Sequence, residues 1–142
     1  MKAAESKYNA CMYFASGALA RQLEKLAIEH WKQVDLPPSH AYLLMLALEE
    51  PGIQPTSISR HLRLTPSTIT RLIEKLEEKM LVMRITEGKV TKVYPTPGAE
   101  ELYPALLRCN EQFAARYCHL LGLDESGKLA QSMMRMADKL SN

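Results

Sequence analysis

Short hydroxyl and basic side chains are concentrated in the middle of this 142-residue chain, and they are the groups best suited to bind another molecule. From Ser57 to Lys92 there are eight basic and four acidic residues, so this segment carries a charge of +4. The rest of the chain has ten basic and twelve acidic residues, which gives −2, and the whole chain is +2. A positive segment between slightly negative flanks is typical of a surface that binds a polyanion, although many basic segments are merely solvated.

The cysteines and histidines indicate no catalytic or metal centre. Cys11, Cys109 and Cys118 are odd in number and contain no C-x-x-C pair, which argues against a disulfide framework and against a zinc finger. The four histidines are scattered, and the sequence has no phosphate-binding loop, H-E-x-x-H motif or nucleophile elbow. We therefore expect no enzymatic activity, no metal and no cofactor.

The composition is that of an ordinary globular domain. Hydrophobic residues make up 46% of the chain and charged residues 24%, which is close to the usage of folded proteins. The longest apolar run is far shorter than the roughly 20 residues needed to cross a bilayer, and the N-terminus lacks the apolar stretch of a secretion signal. We expect a cytoplasmic protein with no membrane partner.

The hydroxyl and basic residues fall on two predicted helices that a short turn separates. Thr56 is the predicted N-cap of a helix that ends near Leu62, and Thr65 is the N-cap of the next helix, with Pro66 at its first position. Two helices joined by about three residues are typical of a helix-turn-helix. The spacing in the second helix predicts a buried stripe formed by Ile69, Leu72, Ile73, Leu76 and Met80. The outward stripe comprises Ser67, Thr68, Thr70, Arg71 and Lys75.

The surrounding elements predict a mainly α fold with a minor β component. Helices are expected over about residues 8–34 and from Ser39, as N-cap, to residue 50. The runs 81–86 and 89–94 are β-prone and are separated by a Glu87-Gly88 turn, which predicts a hairpin, or wing. A long helix over about residues 99–121 and a last helix capped by Asp124 follow. We predict a winged helix-turn-helix lobe at residues 37–98 and a helical dimerisation region formed by residues 1–36 and 99–142.

This arrangement predicts binding to double-stranded DNA. The second helix of a helix-turn-helix enters the major groove, where Arg71 is the best candidate for a bidentate contact with guanine. Arg60, Arg63 and Lys75 are expected to hold phosphates, and the hairpin lysines to approach the minor groove. The complete candidate DNA-binding set is Ser57, Arg60, Arg63, Ser67, Thr68, Thr70, Arg71, Lys75, Arg84, Lys89 and Lys92. An alternative is a winged-helix dimer that binds a protein partner instead of DNA.

Residues 55–84, PTSISRHLRLTPSTITRLIEKLEEKMLVMR, resemble the MarR family of bacterial transcriptional regulators, and the order of elements agrees over nearly the whole chain. The resemblance implies a repressor that acts as a homodimer on a pseudo-palindromic operator, with the dimer built from the first and last helices. The length and apolar character of those helices favour a homodimer independently. The resemblance also implies that a small molecule or an oxidant regulates DNA binding.

Two positions depart from the family pattern. Met80 stands where the family usually has glycine. The turn at this position therefore either places a residue with a side chain at positive φ, which is strained, or avoids positive φ. Arg84 falls where the family usually has an arginine that opens the wing, but the short loop at residues 86–89 lacks the usual Asp-x-Arg motif. Lys89 would have to replace that arginine, although arginine is the side chain favoured in narrow minor grooves.

A pocket between the dimer helices and the winged lobe is the predicted site of a small-molecule effector, for example a phenolic compound. The alternative for each candidate wall residue is that it is an ordinary core residue. The candidate wall residues are Tyr13, Trp31, His40, Tyr42 and Phe113.

Cys11 supports a second kind of regulation. Its predicted place early in the first helix is similar to that of the reactive cysteine in the peroxide-sensing branch of the family, and Tyr42 falls at one of that branch's tyrosines. Ala15 stands where the branch has another tyrosine. An oxidant-sensing regulator that uses Cys11 is therefore an alternative to ligand release.

Overall fold

The computed structural model describes residues 5–141, which form six α-helices, one short 3₁₀-helix and a two-stranded sheet. The order of these elements confirms the predicted mainly α, winged helix-turn-helix fold. No helix within these residues is long and apolar enough to cross a bilayer. The elements are α1 (Met12–Trp31), the 3₁₀-helix (Lys32–Val34), α2 (Pro38–Glu49), α3 (Pro55–Leu62), α4 (Pro66–Glu78), β1 (Val82–Glu87), β2 (Val90–Pro95), α5 (Pro97–Leu121) and α6 (Leu123–Leu140).

The described residues form two compact units. One contains the residues up to Ala27 and from Glu111 onward, and the other is Ile28–Asn110. The boundaries fall inside α1 and α5, whereas the predicted functional division lies near the ends of those helices. That division into a lobe and a dimerisation region stays a prediction, because a dimerisation region is defined by its partner.

The core of the Ile28–Asn110 unit is built around α2, which contacts α3, α4 and β2. This explains why α2 is apolar nearly all round. Burying each large apolar side chain stabilises the fold by about 1.5–3 kcal/mol, and these side chains fix the position of α4. The largest fully buried side chains of this unit are Trp31, Leu43, Leu44, Ile58, Ile69, Ile73, Leu76, Val93, Leu106 and Cys109.

Prolines set the starts of α2 and α3. Pro38 and Pro55 occupy the first helical positions, where a missing N–H costs nothing. The prediction that Ser39 and Thr56 are N-caps is therefore wrong, since each lies one residue inside its helix. The prediction that Thr65 is the N-cap of α4 is confirmed, since its hydroxyl accepts a hydrogen bond from the Thr68 N–H at 3.4 Å.

The predicted starts of three other helices also shift. The first helix begins at Met12 instead of residue 8, because the residues before it form a turn. The long helix α5 begins at Pro97, and α6 begins at Leu123. Asp124 therefore lies in the first turn of α6 and is not its N-cap, a position held by Gly122 at φ +96°.

The hairpin is antiparallel and is anchored to the core. Its turn is Gly88-Lys89, one residue later than predicted, because Glu87 pairs with Val90. Gly88 has a φ of +63°, which suits the first central position of a two-residue hairpin turn. Val93 forms a bridge with Ile53 in the loop before α3, with its N–H donating to the Ile53 carbonyl at 2.9 Å. The wing is thus tied to the helix-turn-helix.

Met80 follows the end of α4 in a strained, left-handed conformation. The Leu81 N–H donates to the Leu76 carbonyl at 2.9 Å and the Met80 N–H donates to the Glu77 carbonyl at 2.9 Å, which is the Schellman pattern of helix ends. That pattern needs a left-handed residue, and Met80 has a φ of +62°. The prediction that Met80 extends the buried stripe is wrong, because its side chain is 76% exposed.

In the other unit, α6 presents an exposed apolar stripe. No α6 residue is buried within the described chain. Its exposed apolar residues include Leu129, Met133, Met136 and Leu140, whose spacing of four, three and four residues places them on one helix face. Elsewhere in this unit Phe113 packs against Tyr117, with ring centroids 5.1 Å apart.

Candidate nucleic-acid interface

The turn between α3 and α4 is three residues long, as predicted, and local hydrogen bonds fix it. Arg63 adopts the left-handed conformation at φ +55° and its N–H donates to the Ser59 carbonyl. The Ser59 hydroxyl in turn donates to the Leu64 carbonyl at 2.5 Å. These bonds satisfy carbonyls at the end of α3 and in the turn, so the two helices are held at a defined angle.

The two faces of α4 differ as the sequence predicted. Ile69, Leu72, Ile73 and Leu76 are buried, which confirms four of the five residues of the inner stripe. On the outward stripe Ser67, Thr70, Arg71 and Lys75 are exposed and Thr68 is half-buried. Within the described chain, the outward face of α4 is therefore open to solvent along the length of the helix.

Hydroxyl groups cluster at the first turn of α4. The Thr65 hydroxyl lies 2.9 Å from that of Thr68 and 3.3 Å from that of Ser67. Thr70 donates its hydroxyl proton to the Pro66 carbonyl at 3.0 Å. The Thr70 oxygen is thereby an acceptor toward any ligand, and the cluster lies at a helix N-terminus, where anions are favoured.

The basic side chains near this cluster are exposed and loosely held. Arg71 Nη2 lies 3.4 Å from the Thr68 hydroxyl, a long hydrogen bond, and Arg60 Nη2 donates to the Ser57 hydroxyl at 3.1 Å. Lys75 pairs with Glu78 at 3.5 Å, with both side chains about two-thirds exposed. Solvated contacts of this kind stabilise by at most about 1 kcal/mol and are readily exchanged for phosphate or base contacts.

Comparison with known proteins finds similarity to one family. Residues 36–87 match the model of the MarR family. Over 98 residues the chain is 28% identical to the "Uncharacterized HTH-type transcriptional regulator YybA" of Bacillus subtilis (strain 168), and the aligned segment covers 67% of this chain and 65% of that protein. These comparisons show that residues 36–87 of this chain are similar to the MarR family.

Solved structures agree in fold. The transcriptional repressor CouR bound to a 23-mer DNA duplex superimposes with a TM-score of 0.79 at 18% identity, over 96% of this chain and 99% of that chain. CouR from Rhodococcus jostii RHA1 bound to p-coumaroyl-CoA gives a TM-score of 0.78 at 17% identity, over 94% of this chain and 96% of that chain. At these identities the likeness establishes the fold alone.

In the wing, Arg84 forms an ion pair within the chain. The Arg84 guanidinium donates two hydrogen bonds to the Glu77 carboxylate, at 2.8 and 3.1 Å. These bonds, outweighing the effect of partial burial, raise the pKa of Arg84. Arg84 therefore links β1 to α4, and its role as a DNA contact stays a prediction. Lys89 and Lys92 are exposed, at the hairpin turn and on β2.

The predicted effector-pocket residues lie in both units, and the pocket stays a prediction. Trp31 is fully buried and packs edge-on against Tyr42, with ring centroids 5.8 Å apart. His40 is half-buried and lies beside a cleft of the same unit. Tyr13 is 90% exposed and Phe113 is buried, both in the other unit.

Cys11 lies just before α1, so its predicted place inside the helix is wrong. Its carbonyl accepts the Ala15 N–H at 2.9 Å, and its side chain is exposed. Cys109 is buried, and burial raises the pKa of its thiol despite the nearby charge of Arg108. Cys118 lies 3.5 Å from the Ser126 hydroxyl. Exposure is one of the two properties that a reactive thiol needs, so oxidant sensing by Cys11 stays a prediction.

Two contacts escaped sequence reasoning. One is the pair formed by Glu77 and Arg84, and the other joins Lys79 to Asp35, 44 residues away. Neither pair shares a helix, so the i,i+4 rule that finds ion pairs in a sequence does not apply. No sequence signal would have found the second pair.

Proposed function

We propose that this protein is a sequence-specific DNA-binding transcriptional regulator that acts as a homodimer on a pseudo-palindromic operator. The observation that carries the proposal is the division of α4. Its apolar stripe anchors the helix in the core, and its hydroxyl and basic stripe faces solvent beside a rigid three-residue turn. This is the geometry that lets a helix enter the major groove of B-DNA.

The proposed contacts are of two kinds: some read the base sequence, and others position the protein on the phosphate backbone. Arg71 forms a bidentate contact with guanine, and Ser67, Thr68 and Thr70 bind base edges or phosphates near the start of α4. Arg60, Arg63, Lys75 and the neighbouring Ser57 hold the phosphate backbone. The wing residues Arg84, Lys89 and Lys92 lie nearest the adjacent minor groove, and the absence of an arginine at the hairpin turn predicts weak readout there.

Two further points belong to the proposal. The exposed stripe of α6 supports homodimerisation, because a large apolar surface on one helix face is typical of an interface. Repression released by a small molecule is supported by the DNA-bound and p-coumaroyl-CoA-bound structures of CouR, which share this fold. The phenolic class remains the first to test as effector.

Selection from random double-stranded DNA, at about physiological salt, tests the proposal. We expect a pseudo-palindromic sequence whose affinity falls steeply as salt increases, because each phosphate contact releases counterions. Repeating the selection with phenolic compounds and with an organic peroxide separates ligand release from oxidation of Cys11. Absence of any enriched sequence, together with specific capture of a protein partner, would favour the protein-binding alternative.

A further inference from the structure

The wing is tied to the rest of the Ile28–Asn110 unit at its base. On the β2 side, the Val93 N–H donates to the Ile53 carbonyl at 2.9 Å, and the Gly52 N–H donates to the Val93 carbonyl at 2.8 Å. On the β1 side, Val82 is buried at the first position of the strand. These contacts fix the place where the wing begins, but they do not reach the part of the hairpin that projects beyond it.

The projecting part of the wing, residues 85–92, lies in solvent. Its residues are exposed except Thr91, which is half-buried. The hydroxyls of Thr86 and Thr91 lie 3.0 Å apart, a contact that joins the two strands to each other. Lys89, at the turn, is five residues beyond Arg84, which is a lever of about 17 Å at about 3.4 Å per residue. A rotation of the wing by about 10° therefore moves the turn by about 3 Å, the length of a hydrogen bond.

The pair formed by Arg84 and Glu77 links the start of this projecting part to α4. The two hydrogen bonds, at 2.8 and 3.1 Å, join a planar guanidinium to one carboxylate, and a two-point contact of this kind fixes orientation as well as distance. At 33% and 29% exposure, both side chains are partly shielded from solvent. The pKa of Arg84 is raised first by the hydrogen bonds to Glu77, and the charge of Glu74, about one turn earlier on α4, adds to the rise. Carboxylates of α4 therefore hold the guanidinium within the chain.

We infer that Glu77 is a positioning residue of the DNA-binding face. By holding Arg84, it sets the direction of the wing relative to α4, so that the turn meets the DNA backbone while α4 lies in the major groove. In this arrangement Glu77 does not contact DNA, the Arg84 guanidinium stays on Glu77, and Lys89 and Lys92 supply the charged contacts of the wing. The inference rests on the proposed function, because a wing direction matters only if DNA is the ligand.

Positioning and simple electrostatics predict opposite effects for Glu77→Gln. A carboxylate on a helix that lies against phosphates repels DNA, so its removal should strengthen binding if Glu77 acts only through its charge. Removal should also strengthen binding if Glu77 merely competes with phosphate for Arg84. If Glu77 positions the wing, the affinity for the selected operator should instead fall about five- to tenfold, and the dependence of affinity on salt should become weaker, because wing lysines lose phosphate contacts. Anisotropy of the labelled operator, titrated with the full chain at several salt concentrations, measures both quantities.

Glu78→Gln is the matched control. It removes the same charge from the next residue of α4, where the carboxylate makes only an exposed pair with Lys75 at 3.5 Å. Its affinity for the operator should equal or slightly exceed that of the wild type. A loss as large as that of Glu77→Gln would show that charge on α4, and not the pair with Arg84, is responsible, and would overturn the inference.

A second measurement separates positioning from a general loss of stability. Lys89→Gln should weaken operator binding about fivefold in the wild-type background, and much less in the Glu77→Gln background, because there the lysine is already displaced. Arg84→Gln should give the same loss as Glu77→Gln, and the variant with both changes should lose no more than either. Urea titrations establish that each variant is folded under the assay conditions. Additive losses for Lys89→Gln and Glu77→Gln, or wild-type or tighter binding by Glu77→Gln, would overturn the inference.

The direction of the wing is measured without DNA, by residual dipolar couplings of backbone amides in the full chain. In Glu77→Gln the couplings of residues 85–92 should change or shrink through averaging, whereas those of α4 should keep their wild-type values. Unchanged couplings in the wing would overturn the inference, whether or not the chain binds DNA. If the wild-type chain binds no DNA, the proposed function fails, but the couplings still decide whether Glu77 holds the wing.

Discussion

Side chains on the first turns of α4 form hydrogen bonds within the chain, and these bonds determine which donors and acceptors are available to the proposed DNA ligand. Because Thr70 donates to the Pro66 carbonyl, its oxygen accepts hydrogen bonds from base amino groups. Arg71 is different, because its hydrogen bond with Thr68 is long and its side chain is exposed to solvent. Arg71 is therefore the residue whose loss should affect sequence recognition most.

Arg71→Ala should lower the affinity for the selected operator by about 1–3 kcal/mol, or about 5- to 150-fold. It should lower the affinity for random DNA much less, because phosphate contacts supply most nonspecific binding. Anisotropy titrations on both DNAs at one salt concentration measure this difference. Lys128→Ala serves as a charge-matched control, and equal losses on both DNAs would show that Arg71 only contacts phosphate.

Replacing Met80 by glycine, the residue that the family usually has at this position, should stabilise the folded chain. A non-glycine residue in the left-handed region costs about 1–2 kcal/mol, whereas glycine loses about 0.5–1 kcal/mol through backbone entropy. Because the Met80 side chain is largely exposed, little packing is lost. Met80→Gly should therefore raise the free energy of unfolding by about 0.5–1 kcal/mol in urea titrations.

Met80→Ala is the control, since it shortens the side chain and keeps the strain. Its free energy of unfolding should stay close to that of the wild type. A gain in Met80→Ala equal to that in Met80→Gly would show that the exposed side chain, and not the backbone, limits stability.

His40 predicts a pH dependence of stability. Its pKa is lowered in the folded state by partial burial and by Lys79 and Lys75, from an ordinary value of 6.5. Above that value His40 is neutral in both states. As the pH falls below it, the unfolded chain binds the proton first, so the folded state loses stability until the pH reaches the lowered pKa.

Thermal unfolding from about pH 7.5 to about pH 5 measures this effect. His40→Gln should lose less stability over this range than the wild type, and Lys79→Gln should fall between them because it removes one of the causes. A His40→Gln variant as sensitive to acid as the wild type would contradict the account.

At the scale of elements, local periodicity was sufficient to predict α4 and its two faces. Four inner residues follow the 3.6-residue repeat and are buried, and the Thr65-Pro66 start has a direct physical cause in capping. Two of the errors, at the starts of α2 and α3, lie where two rules compete. At Ser39 and Thr56 the preference of hydroxyl residues for the N-cap predicts one helix start. The preference of the preceding proline for the first helical position determines the observed start.

Contacts between elements could not be predicted from the sequence. The bond between Lys79 and Asp35 depends on how α4 packs beside the linker before α2, and that packing is set by buried side chains on several elements. The face of α4 was thus predictable, and the contact between Lys79 and Asp35 was not.

The link between α4 and the wing supplies a prediction at this scale. Glu77 and Arg84 join the two elements through a two-point ion pair whose side chains are each about 30% exposed. A double-mutant cycle with Glu77→Gln and Arg84→Gln, measured by urea unfolding, should give a coupling energy of about 0.5–1 kcal/mol. The coupling should decrease with added salt, and a coupling near zero would mean that β1 is positioned by Val82 and Val93 alone.

For the whole molecule, the proposed dimer connects the apolar stripe of α6 with the +4 segment that carries α4. One short recognition helix makes few base contacts, and specific operators are read by two such helices related by a twofold axis. Leu129, Met133 and Met136 have the spacing of a helix–helix interface and are exposed in the single chain. Dimerisation through this stripe would bury apolar surface and bring two copies of the DNA-binding face together.

Met133→Lys combined with Met136→Lys should therefore convert a particle of twice the 16.1 kDa chain mass into a monomer in sedimentation velocity. Because a monomer makes about half the phosphate contacts, the dependence of DNA affinity on salt should also fall by about half. Gln131→Lys adds one such charge on the same helix without changing the stripe and should leave both properties unchanged. A double variant that stays dimeric, with an unchanged salt dependence, would place the interface elsewhere and would leave the exposure of the α6 stripe without an explanation.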